Sequence, residues 1–113
     1  MENKTHVVTM ENFESVVDAH PLVLLDFWAG WCQPCQVFAP IFEQAAEVFP
    51  DIYFGKVDTE AAPDLAQAFQ IRSIPTLMAF KNGDLVFEHA GILPPGPFEQ
   101  LIEKLRAAGP ESS

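Results

Sequence analysis

Basic residues are scarce in this chain. Six lysines and arginines stand against sixteen acidic residues, a formal net charge of −10 over 113 residues. That is the wrong sign for tracking a phosphate backbone or an anionic lipid surface, so nucleic-acid and membrane-surface roles are disfavoured. The acidic excess reads as a solvated surface and carries no chemistry of its own. Cysteine is scarcer still, with only Cys32 and Cys35 present. A structural zinc site takes about four ligands, and the remaining candidates, His6, His20 and His89, are scattered without ligand spacing, so no metal is expected. No apolar run approaches the roughly 18 residues of a membrane span. The mixed-charge stretch from Met1 to His6 leads into no secretory core and no small-residue cleavage site, so the expectation is a cytoplasmic protein. A Gly-rich dinucleotide loop is missing as well, and no bound cofactor is expected.

What remains is the balance of a packed protein, 49% apolar and 19% charged. The length suits one domain with one core, read as residues 1–108, followed by a short frayed tail over 109–113. Two hydrophobic periods alternate along it. Val7-Val8 reads as a short strand, and Thr9 as the N-cap of a helix with Phe13, Val16 and Val17 on one face, closed at His20-Pro21. Leu22 to Trp28 is almost continuously apolar, the pattern of a central strand buried on both faces. From about Pro34 to Phe49, Val37, Phe38, Ile41, Phe42 and Ala45 recur at helical spacing, with Glu43, Gln44 and Glu47 on the other side. Pro40 inside this helix predicts a kink and not a stop. Ile52–Val57 reads as a further strand, and Thr59 as the cap of a short helix carrying Leu65, Ala66 and Phe69. Pro75 opens a strand over Thr76–Phe80, joined by an Asn82-Gly83 turn to an antiparallel neighbour beginning at Leu85. Pro97 then sits in the first turn of a closing helix with Phe98, Leu101, Ile102 and Leu105 on one face. The fold class is α/β, a three-layer arrangement with a mixed central sheet flanked by helices. Phe13, Phe38, Phe42, Phe54, Phe69 and Phe80 are assigned to its core.

The two cysteines fall between the buried strand and the start of the long helix. Unpaired N–H groups and the positive end of the helix dipole favour a thiolate there. Cys32 is therefore the candidate nucleophile, and Cys35, one turn later, the thiol that attacks a mixed disulfide on Cys32 and releases the reduced partner. A bridge across so short a loop is a weak staple, worth roughly 2 kcal/mol of unfolded-state entropy, which favours a redox switch over a structural disulfide. Asp26 is the other anomaly, an acid within an apolar strand where an unpaired charge is expensive. Two readings stand at this point: a proton acceptor for Cys35 whose pKa is raised by burial, with Lys56 nearby on the adjacent strand, or a buried structural ion pair.

The segment Trp28-Ala29-Gly30-Trp31-Cys32-Gln33-Pro34-Cys35, preceded by Asp26-Phe27 and followed by Ala39-Pro40, resembles the active-site region of the thioredoxin family. The resemblance continues in order through Lys56-Val57-Asp58, Ile71-Arg72-Ser73-Ile74-Pro75-Thr76-Leu77, Phe80-Lys81-Asn82-Gly83 and Gly91, and covers about residues 5 to 108. It implies a thioredoxin-like fold in which Cys32 attacks, Cys35 resolves, and Asp26 with Lys56 manages the proton. It also implies a cis Ile74-Pro75 bond opposite the cysteines. Trp31, Ile74, Pro75, Gly91 and Ile92, with Gln33 and Pro34, would form the rim that receives partner proteins. Trp28 is assigned to packing beneath the site.

The chain departs from the family's usual Gly-Pro between the cysteines, having Gln33-Pro34, and the neutral Gln36 stands where a basic residue commonly follows. Both changes bear on thiolate stability and so on redox potential. The resemblance implies an enzyme that reduces disulfides in client proteins by dithiol–disulfide exchange, recycled by a flavin-dependent thioredoxin reductase; a monomer is the default expectation. The alternatives are a disulfide oxidase or isomerase on the same fold, or a non-catalytic clamp that uses the rim around Trp31.

Overall fold

The computed structural model describes residues 4–108; the expected tail over 109–113 lies outside the described residues. In chain order the elements are β1 (His6–Val7), α1 (Met10–Ala19), β2 (Leu22–Trp28), α2 (Gln33–Val48), β3 (Tyr53–Asp58), α3 (Pro63–Ala68), β4 (Thr76–Lys81), β5 (Asp84–Ala90) and α4 (Pro95–Ala107). The strands form one mixed sheet in the order β1-β3-β2-β4-β5. β3 runs parallel to both β1 and β2, whereas β4 is antiparallel to β2 and β5. β2 is thus paired on both edges, which is why its apolar run has almost no polar interruption.

Alternation along β2 sorts the core into two layers. Leu22 and Leu24 point to the face covered by α2 and α4, where they meet Phe38, Phe42, Phe98 and Ile102. Val23, Leu25 and Phe27 point to the face covered by α1 and α3, where they meet Val16, Val17 and Leu65. By the same alternation Asp26 lies on the α2 face, the side that carries Cys35. Aromatic rings interlock each layer, with Phe42 edge-on to Phe54 at 5.2 Å and Phe13 edge-on to Phe80 at 5.4 Å. Truncating one buried phenylalanine to alanine costs about 3–5 kcal/mol, against at most about 1 for an exposed ion pair such as Arg106–Asp51, so the two layers hold the sheet.

Most expected elements appear in place, and α2 runs on through Pro40 without a stop. Asn82 and Gly83 take φ of 52° and 87° in the hairpin turn. Four expectations need correction. β1 lies at His6–Val7, one residue earlier than read, and β3 begins at Tyr53 and not Ile52. Thr59 does not cap α3: the N-cap is Ala62 with Pro63 first in the helix, and the Thr59 hydroxyl donates to the Trp28 carbonyl at 3.0 Å. Phe69 falls just past the end of that helix, although it still packs against Phe13, Phe27 and Phe80.

Lys81, at the end of β4, reaches the C-terminus of α4. Its Nζ donates to the Leu105 carbonyl at 2.6 Å and to that of Ala108, placing a cation at the negative end of the helix dipole. Lys81→Met should therefore destabilise the protein by about 1 kcal/mol, read as a fall of roughly 4–8 °C in the thermal midpoint.

Candidate active site

β2 ends at Trp28 and the chain turns through Ala29–Trp31 into α2, so the buried strand delivers the cysteines to a helix N-terminus. Cys32 is the N-cap of α2, and its Sγ accepts a hydrogen bond from the Cys35 backbone N–H at 3.1 Å. A sulfur in this position meets both an unpaired amide and the positive end of the helix dipole, which lower the free energy of a thiolate. Cys32 and Cys35 are joined as a disulfide with Cα atoms 5.2 Å apart. Both are nearly enclosed, at 4% and 2% exposure, packed with Ala29, Trp28 and Ile74.

The Ile74-Pro75 peptide is cis, and the Ile74 carbonyl oxygen lies 3.6 Å from Cys32 Sγ. Gly91 sits beyond it with φ of 105°, and its N–H donates to the Pro75 carbonyl at 2.8 Å. Only a residue without Cβ adopts that φ readily, so a glycine closes the loop there. Trp31 is 70% exposed, its indole N–H donating to Glu60, and Ile92 is 38% exposed. A groove of about 500 Å³ runs beside the disulfide, lined by Trp31, Cys32, Pro34, Ile71, Arg72 and Ile74 among others. Gln33 lines it too, while Gln36, the other departure, donates from its amide to the Gly30 carbonyl at 2.9 Å and so braces the turn before Cys32.

Asp26 is fully buried, and neither carboxyl oxygen has a hydrogen-bond partner among the described residues. It faces Lys56 in the β2–β3 register, with Lys56 Nζ 3.8 Å from its Oδ2. Burial raises the Asp26 pKa from 3.8 to about 7, against the opposing pull of the Lys56 cation. Both readings open at the sequence keep a footing here: Lys56 Nζ supplies the ion-pair contact at 3.8 Å, and burial raises the carboxyl's pKa in the direction a proton acceptor needs. Sequence reasoning missed the third member of this cluster. Glu43 on α2, read as part of a solvated face, has its Oε2 4.0 Å from Lys56 Nζ and adds to the rise in the Asp26 pKa. The available signal was Lys56 itself, a cation on an interior strand beneath that helix. Glu43→Gln should lower the Asp26 pKa, by removing a negative charge and leaving Lys56 to Asp26 alone, and a carbon-13 titration of the Asp26 carboxyl would read the direction. Lys56 also stands 5.1 Å from the Trp28 ring centroid, so Trp28 roofs the ion cluster.

The histidines are less scattered than their spacing suggested. His6 stacks on Tyr53 at 4.7 Å and His20 packs against the same ring at a tilt, at 4.5 Å, away from the cysteines. Among the described residues no group of three or more His, Cys, Asp and Glu side chains is placed to hold a metal ion, and no helix is long and apolar enough to cross a membrane.

The thioredoxin family model matches residues 4–105. The chain belongs to the thioredoxin family. A Streptomyces coelicolor relative whose name places it among the thioredoxins is 52% identical over 99 residues, covering 88% of this chain and 74% of its own. Thioredoxin C-2 of Corynebacterium nephridii is 39% identical over 98 residues, 85% of this chain and 91% of its own. The solved structure of a mutant thioredoxin from Halobacterium salinarum superposes with a TM-score of 0.86 at 31% identity, covering 97% of this chain and 98% of that one. The thioredoxin fold and the disulfide-forming pair make this a thiol–disulfide oxidoreductase, a protein-disulfide reductase acting on disulfide-bearing client proteins. Family membership also brings, typically, a thioredoxin reductase as electron source.

Proposed function

We propose that the reductase acts through a division of labour in which Cys32 is the attacking thiolate, Cys35 the resolving thiol, and Asp26 with Lys56 the proton-handling pair. The observation that carries it is Cys32 Sγ at the N-cap of α2, receiving the Cys35 N–H beside an open groove. Cys32 thiolate attacks one sulfur of a client disulfide; the Cys32–client bond forms and the client's other sulfur leaves as a thiolate. Cys35, having passed its proton toward Asp26, then attacks Cys32 Sγ, forming the intramolecular disulfide and expelling the second client thiolate. The client gains two electrons and the cysteine pair loses two. Trp31, Gln33, Pro34, Ile74, Pro75, Gly91 and Ile92 receive the client segment, with the backbone at Ile74 and Pro75 offering it a strand-like partner.

Residues 1–108 act as a single domain and as a monomer, recycled by a flavin-dependent thioredoxin reductase. A dithiol that must be kept reduced belongs in a reducing compartment, which supports the cytoplasm. The test is the reduction potential of the Cys32–Cys35 pair, equilibrated against glutathione or dithiothreitol buffers. A value near the roughly −270 mV of reducing thioredoxins is expected, and one approaching the roughly −120 mV of strong oxidants would make the protein a disulfide donor instead.

A further inference from the structure

On a chain with a net charge of −10, the few cations are mostly committed elsewhere. Lys56 is held between Asp26 and Glu43, Arg106 pairs with Asp51, and Lys81 donates to the end of α4. Lys104 lies in the last turn of α4, and Lys4 precedes β1. Arg72 differs from all of these. It is exposed, lines the groove beside Cys32, and has no ion pair among the described residues. The groove's other lining residues are uncharged, Trp31, Pro34 and Ile74 among them. The nearby acid Glu60 is engaged by the Trp31 indole.

We propose that Arg72 reads charge in the client: the groove favours an extended segment carrying an aspartate or glutamate within two or three residues of its reducible cysteine. This rests on the reductase reading above. The reach fits, since Arg72 stands two residues before Ile74, whose carbonyl lies 3.6 Å from the sulfur that the client must meet, and two extended residues span at most about 7 Å. The rest of the surface repels an acidic client at long range, so the local attraction at Arg72 supplies discrimination where the chain's net charge opposes it.

The test uses reduced protein and single-turnover exchange with matched disulfide-linked peptides, identical except for glutamate or glutamine two residues from the cysteine, placed on each side in turn. Each pair of peptides competes for the same protein, so any loss of folded fraction in a variant cancels in the rate ratio. The intrinsic effect of a carboxylate on the client sulfur cancels when the ratio is compared between variants. For one placement, the glutamate-to-glutamine ratio should fall roughly threefold on Arg72→Gln, the scale of one exposed ion pair. Arg72→Lys should restore most of it, and raised salt should collapse the wild-type ratio towards that of Arg72→Gln. A ratio unmoved by Arg72→Gln at both placements overturns the proposal while leaving the reductase reading intact. Failure of both peptides to exchange with the reduced wild-type protein overturns the reductase reading, and the proposal with it.

Discussion

Replacing Cys35 by serine should turn turnover into capture. Cys32 keeps its place at the N-cap of α2, but nothing one helical turn away can attack the mixed disulfide. The client should stay covalently attached, as a dithiothreitol-sensitive adduct that migrates at the summed mass on a non-reducing gel. Cys32→Ser should give no adduct at all. Both variants should lose steady-state reduction of a protein disulfide by three orders of magnitude or more, about the scale seen when one member of a nucleophilic unit is removed. The asymmetry follows from position, since both sulfurs are nearly enclosed but Cys32 lines the groove and Cys35 does not. Adduct formation by Cys32→Ser in place of Cys35→Ser would reverse the assignment of attacking and resolving thiols. The double Cys→Ser variant separates catalysis from clamping, because a clamp would hold its partner with nearly unchanged affinity.

The parts of this site legible in the sequence are those fixed by local pattern. β2 announced itself as an apolar run bounded by Pro21 and the turn at Ala29. The cysteine pair at a strand-to-helix junction pointed to dithiol chemistry before any family likeness was drawn. The Asn82-Gly83 turn joined β4 to β5 because those residues accept positive φ at low cost. Tertiary partners decided the rest. Thr59 had the composition of a cap, but its hydroxyl found the Trp28 carbonyl and left Ala62 and Pro63 to start α3. β1 is two residues long, too short for a period of two to fix its register. Glu43 belonged to a polar helix face by periodicity, and only the packing of α2 over β3 brings it to Lys56. Arg72 was one unremarked residue within a matching segment, and its place in the groove beside Cys32 sets it apart from the other cations.

Asp26→Ala should make the protein more stable and a worse enzyme, and the balance between these effects should move with pH. With a folded-state pKa raised from 3.8 to about 7, the acid binds its proton more tightly in the native state than in the unfolded chain. Between those values folding takes up a proton, so native stability falls as pH rises from about 4 and levels off above about 7. The shift corresponds to roughly 4 kcal/mol of destabilisation above neutrality, of which a small cavity at the alanine would return about a quarter. Urea unfolding should therefore find the alanine variant about 3 kcal/mol more stable at pH 8 and no more stable than the parent at pH 4. Lys56 would not be stranded, since Glu43 remains within 4.0 Å and the lysine side chain reaches solvent. In single-turnover assays the release of client from the mixed disulfide should slow by roughly 10²-fold at pH 7, the lower end of what a positioned base contributes, and lose its inflection near that pH. If the variant gains stability at pH 8 but resolves the mixed disulfide at the parent's rate, Asp26 is a tolerated burial and Cys35 loses its proton by another route. A gain in stability together with a slowed, flattened profile means that the fold keeps a destabilising carboxylate because the resolving step uses it.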